Sequence, residues 1–318
     1  MIQLSRRTFV FITGAAAIAA AESRKQLRGI FPIMQTPFNA AGQLDLPVLA
    51  KQVRFLDGCG VHGMVWPQLA SEYASLTREE RLAGAEAIAA ASRGLRPAVV
   101  IGVQSDTIAQ AIEYTRHASR LGVDAVIALP PQKEEDEARL MAYYKSIGEA
   151  SGLPLFIQAV GRMSVEFIIR MSQEIPTLRY IKDESGPVHL RITQFRRQAP
   201  ELNSFSGFHG KTLYEEMVRG SAGTMPAAGF GDLYASAWDL FEEGKHREAA
   251  QFCARASLLI APMETWGLEA AKYVLHLRGV FPNWNVRRTG PSRSGEFDDL
   301  ARQAIAEMLD SMKPYLRS

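Results

Sequence analysis

From Gly29 to Met225, short apolar runs alternate with longer amphipathic stretches. The apolar runs are Gly29–Thr36, Gly63–Trp66, Ala98–Gly102, Ala125–Leu129, Leu155–Gln158, Leu178–Lys182, Ser204–Gly207 and Gly223–Met225. Between them lie stretches with helical spacing: Leu46–Leu56, Thr77–Ala91, Thr107–Leu121, Glu135–Ala150, Val165–Gln173, one from Val188, and Thr212–Arg219. Apolar runs too short for helices, each followed by a helix, read as parallel strands with crossover helices. Eight such units predict a (β/α)8 TIM barrel over residues 22–232. Leu233–Glu243, Arg247–Ile260, Leu268–Arg278 and Phe297–Leu316 read as additional C-terminal helices, so residues 233–318 form a helical extension of the same domain. Thr77 and Glu80 form a capping-box pattern at one helix start. Phe31, Met34 and Trp66 are expected in the core.

Residues 1–21 read as a targeting segment. Arg6-Arg7 precede an apolar, Ala-rich run of about 13 residues, short of the roughly 20 needed to cross a bilayer as a helix. A twin-arginine signal and an exported, periplasmic location are expected, with no stable membrane span after processing. Net charge is only +2, with no basic run, which argues against nucleic acid as a partner. Cys59 and Cys253 are isolated and the six histidines form no HxxxH or HxH pair, so no metal site is expected.

In such a barrel the chemistry sits at the C-terminal ends of the strands. Leu178-Arg179-Tyr180-Ile181-Lys182-Asp183-Glu184 runs from an apolar strand straight into charge. A lysine at an apolar strand end is a candidate Schiff-base nucleophile, because desolvation favours the neutral amine. Period-two alternation puts Glu184 on the side of Lys182 and Asp183 on the other, making Glu184 the candidate acid–base partner. Further strand-end candidates are Thr36, Ala70 and Ser71 with Glu72, Gln158, Gly207, His209 and Thr224. His209 suits either a substrate contact or a helix N-terminal role.

Several segments resemble the dihydrodipicolinate synthase / N-acetylneuraminate lyase family of class I, Schiff-base-forming lyases. They are Gly29-Ile30-Phe31-Pro32-Ile33-Met34-Gln35-Thr36-Pro37-Phe38 with Gly42-Gln43-Leu44-Asp45, Glu72-Tyr73-Ala74-Ser75-Leu76-Thr77-Arg78-Glu79-Glu80-Arg81, Pro130-Pro131, Tyr180-Ile181-Lys182-Asp183, and Val286-Arg287-Arg288 with Pro291. The resemblance implies an imine between Lys182 and the 2-keto group of a small keto acid, a homotetramer or homodimer, and no metal or organic cofactor. It also implies that Glu72 bonds loop backbone near the site. Arg287-Arg288 reads as a solvated or interface pair.

Three departures narrow this. The family's carboxylate-binding Gly-Thr/Ser-Thr-Gly-Glu is Gln68-Leu69-Ala70-Ser71-Glu72 here, leaving the backbone N–H groups of Ala70 and Ser71 and the Ser71 hydroxyl for that task. The strand-five tyrosine is Gln158, whose amide does not titrate. The tyrosines after Pro-Pro are Gln132-Lys133. The pattern is more similar to the branch that dehydrates 2-keto-3-deoxy sugar acids, so a hydro-lyase or aldolase acting on such an acid is expected. The alternative is an exported keto-acid or sugar-acid binding protein on the same barrel, without turnover.

Overall fold

The computed structural model describes residues 25–287 and 297–317. The expected signal segment, Arg288 and Pro291 lie outside them. Eight parallel strands run in sequence order around a (β/α)8 barrel: β1 (Gly29–Ile30), β2 (Gly63–Trp66), β3 (Ala98–Gly102), β4 (Ala125–Ala128), β5 (Leu155–Ala159), β6 (Leu178–Asp183), β7 (Asn203–Ser206) and β8 (Gly223–Thr224). β1 pairs with β8, and the seam to β2 closes through His62 N to Ile30 O (3.0 Å), Val65 N to Pro32 O (3.0 Å) and Met34 N to Val65 O (2.9 Å).

The expected first strand, Gly29–Thr36, shortens to two residues. Pro32 has no N–H to give to a ladder, and the chain beyond it holds its neighbours only by single bridges at Ile33. Pro226 likewise ends β8.

Seven crossover helices follow β1 to β7: α1 (Leu46–Gly58), α2 (Arg78–Ala91), α3 (Ile108–Arg120), α4 (Glu137–Ser151), α5 (Val165–Glu174), α6 (Val188–Gln198) and α7 (Leu213–Val218). Their starts are written in the sequence. Asp45, Thr77, Thr107, Asp136 and Ser164 each accept from a first-turn backbone N–H, and Thr77 and Glu80 complete the capping box. After β8 come α8 (Gly231–Glu242), α9 (His246–Trp266), α10 (Leu268–Leu277) and α11 (Asp299–Met312). α9 runs six residues beyond the expected end at Ile260, carrying Pro262 within it, before Gly267 ends it with φ 65°. Among the described residues no helix is long and apolar enough to cross a membrane.

The barrel interior is filled rather than open. Phe31, Phe156 and Phe205 are fully buried and meet edge to face, Phe31–Phe205 at 5.2 Å and Phe156–Phe205 at 5.3 Å, while Tyr180 stacks on Phe156 at 4.4 Å. Each such pair adds about 0.5–1.5 kcal/mol beyond its buried area. This aromatic plug is the floor on which the strand-end side chains stand.

Candidate active site

Tyr180 belongs to the plug, so period two brings Lys182 to the interior one layer higher, between Gln158 of β5 and Phe205 of β7 in register. Lys182 is 5% exposed, and Nζ lies 3.3 Å from Glu184 Oε2. Asp183 points the other way and is bound outside the barrel by Arg191 at 2.7 Å. Burial raises the Asp183 pKa above the usual carboxylate range, with Arg191 opposing it.

The Glu184 carboxylate is held at both oxygens. Gln158 Nε2 donates to Oε2, and the backbone N–H of Phe208 donates to Oε1 at 3.1 Å. Gly207 makes room for this: a Cβ there would overlap the carboxylate. Gln158 thus orients Glu184, and its buried Oε1 has no hydrogen-bond partner among the described residues. Lys182, Glu184 and His209 open into one cavity of about 1530 Å³ at the C-terminal end of the barrel.

His209 and Phe208 both have left-handed backbone (φ 57° and 48°), and the Tyr234 hydroxyl donates to the His209 carbonyl. The turn carries the imidazole into the cavity, where burial lowers its pKa below the ordinary histidine value and keeps it neutral at pH 7. His209 therefore sits at the cavity wall rather than capping a long helix.

The other predicted residues divide. Ala70 lines the cavity. The Ser71 hydroxyl donates to Met34 O and accepts from Gln68 N at 3.0 Å, and the Thr36 hydroxyl donates to Ser71 O and accepts from Trp66 Nε1 at 3.0 Å. Both are fully buried and spent on joining the loops after β1 and β2. The Thr224 hydroxyl lies 2.8 Å from Ser206 Oγ, and Met225 rather than Thr224 reaches the cavity.

Behind the Ser206–Thr224 pair lies Glu216, its carboxylate accepting from Ser206 and, at 2.7 Å, from Thr212. Burial raises its pKa.

Sequence reasoning missed the upper wall. Met263 and Trp266 of α9, Leu268 of α10, and Trp284, Val286 and Phe297 line the cavity into which Lys182 opens. It also missed Lys272, which is fully buried and ion-paired with Glu72. A lysine on the apolar face of α10, beside Ala271 and Leu275, was the available signal. Glu72 accepts at Oε2 from the backbone N–H of Arg287 at 2.7 Å as well, so it bonds both backbone and a buried cation. Arg287 is not a solvated pair member. It grips both oxygens of Glu80 at 2.7 Å and donates to Ser75 O and Gly42 O.

A buried lysine beside a fixed carboxylate at the end of β6 is an arrangement that can carry out carbonyl chemistry through an imine. The model of the dihydrodipicolinate synthetase family matches residues 26–298. The chain belongs to that family. Its members are lyases acting on small molecules.

Among relatives, an L-2-keto-3-deoxyarabonate dehydratase of Azospirillum brasilense is 27% identical over 275 residues, covering 83% of this chain and 89% of that protein. An uncharacterized DapA-like lyase of Thermococcus onnurineus is 28% identical over 267 residues, 80% of this chain and 89% of the other. Among solved structures, a dihydrodipicolinate synthase of Rhodopseudomonas palustris superimposes with a TM-score of 0.79 at 22% identity, covering 89% of this chain and 97% of that one. A Ruminococcus gnavus sialic acid aldolase, solved as a catalytic lysine mutant, gives 0.81 at 20% identity, covering 91% and 98%. At these identities the structures establish the shared fold.

Proposed function

We propose that this lyase dehydrates a 2-keto-3-deoxy sugar acid through an imine on Lys182, with Glu184 moving the protons. The observation that carries it is the 3.3 Å approach of Lys182 Nζ to a carboxylate fixed by Gln158 and Phe208 N, at the position where the sequence lacks a titratable strand-five residue. The dehydratase relative supports the choice of substrate class.

The Lys182 amine adds to the C2 carbonyl, and loss of one water leaves a protonated imine. That cation withdraws electrons, so the C3 proton becomes acidic and passes to Glu184. The enamine then expels hydroxide from C4, which takes the proton from Glu184 and leaves as water, forming the C3=C4 double bond. Hydrolysis of the imine consumes the water released when it formed, so the net reaction is loss of one water. Retro-aldol cleavage of the C3–C4 bond would use the same imine and release pyruvate, so product analysis separates the two reactions.

Borohydride reduction in the presence of pyruvate or L-2-keto-3-deoxyarabonate is expected to add a stable mass at Lys182. An adduct at another lysine, or none, overturns the imine. In this proposal the enzyme is a homo-oligomer exported through Arg6-Arg7. Arg6→Lys with Arg7→Lys should hold it in the cytoplasm, and an unaltered chain found there at full length would refute export.

A further inference from the structure

The segment joining α10 toward α11 alternates in sequence: Asn283-Trp284-Asn285-Val286-Arg287. The structure turns that alternation into two faces. Asn283 Nδ2 donates to Phe38 O at 3.1 Å, the Asn285 carbonyl accepts from Lys272 Nζ at 2.7 Å, and Arg287 grips Glu80, Ser75 and Gly42. Trp284 and Val286, the residues between, line the same cavity as Lys182. Odd positions therefore tie this strap to the loops after β1 and β2, and even positions form the ceiling.

The tie is built to be stiff. Lys272 is sealed, with Glu72 and Asn285 O taking its protons and the Phe38 ring 4.4 Å away. Arg287 covers the same ring at 4.1 Å. Glu72 joins the two, binding Lys272 at Oε1 and Arg287 N at Oε2, from a left-handed conformation (φ 57°). None of these groups lines the cavity floor.

We propose that Lys272, Glu72 and Arg287 are positioning residues: they set the height of the Trp284–Val286 ceiling and so decide which keto acids fit beyond C3. This rests on the imine reading. A three-carbon acid held at Lys182 is complete at C3, whereas a five-carbon acid carries two further carbons that must find room in the cavity.

The test uses the full chain and borohydride trapping at Lys182 with two probes, pyruvate and L-2-keto-3-deoxyarabonate. Arg287→Met is chosen first because its partner Glu80 is partly exposed and is not left as a buried charge. Arg287→Met and Trp284→Ala should each raise the half-saturating concentration of L-2-keto-3-deoxyarabonate, relative to that of pyruvate, about tenfold, a modest share of what misplacing a contact costs. Because both act on the same ceiling, the double variant should be no worse than Trp284→Ala alone, and Arg287→Lys should recover part of the loss. Effects that multiply toward about a hundredfold, or that weaken both probes equally, overturn the proposal. Hydrogen exchange of the 283–287 peptide supplies a readout independent of the imine. Arg287→Met should speed it, and unchanged exchange refutes the tie. Absence of any adduct in the unaltered chain with either acid would refute the imine alone, leaving the exchange experiment to decide the tie.

Discussion

Two lysines of this chain are buried beside glutamates, and they do opposite things. Lys182 stands on the aromatic plug with Glu184 at 3.3 Å and opens into the cavity. Lys272 is closed on every side by Glu72, the Asn285 carbonyl and the Phe38 ring. Burial lowers the Lys272 pKa, with Glu72 opposing it. Yet Lys272 has no path to a substrate carbonyl. Access, rather than burial or a carboxylate neighbour, separates the proposed nucleophile from the structural post.

The contrast breaks most sharply at the floor. Lys182→Ala is expected to abolish both adduct and turnover. Glu184→Gln should lose about 10²–10⁴ in turnover, roughly 3–5 kcal/mol of barrier, while still forming an adduct at Lys182 detectable by mass spectrometry. Near-normal turnover in Glu184→Gln would reduce that carboxylate to a structural partner.

The post should respond in stability. Lys272→Met leaves Glu72 buried without its cation and should destabilise the fold by about 3–5 kcal/mol in denaturant titration. Adding Glu72→Leu should return much of it, since an apolar pair avoids both desolvation costs. A Lys272→Met protein as stable as the parent would mean that the pair is not needed.

A smaller effect tests the cavity wall. The folded-state pKa of His209 lies below its unfolded value of about 6.5. Below that value the unfolded chain takes a proton that the folded one refuses, so stability falls as pH drops toward the folded pKa. His209→Asn, which tolerates the left-handed backbone, should flatten that part of the pH–stability curve. An unchanged slope would assign it to another group.

What could be read in the sequence follows the distance over which each signal acts. The barrel was legible because strand and helix periods and the capping box at Thr77 are local. Lys182 and Glu184 were legible as a pair because two residues of strand separate them. The Thr36 and Ser71 hydroxyls looked available because nothing nearby in the chain shows that they bond each other's loops. Gln158 was read as a loss, and its hold on Glu184 needed the β5–β6 register. Lys272 and Glu72 lie 200 positions apart, so no local pattern joins them.

The strap between Asn283 and Arg287 also limits how this enzyme can change. With anchors and cavity-lining residues on alternate positions, inserting or deleting one residue would move the anchors off their partners and displace Trp284 and Val286 from the cavity wall. Length is thus closed to gradual variation, while the identities of Trp284 and Val286 are open to it. A laboratory lineage selected for new keto acids should accumulate exchanges at those two positions and keep the spacing around them.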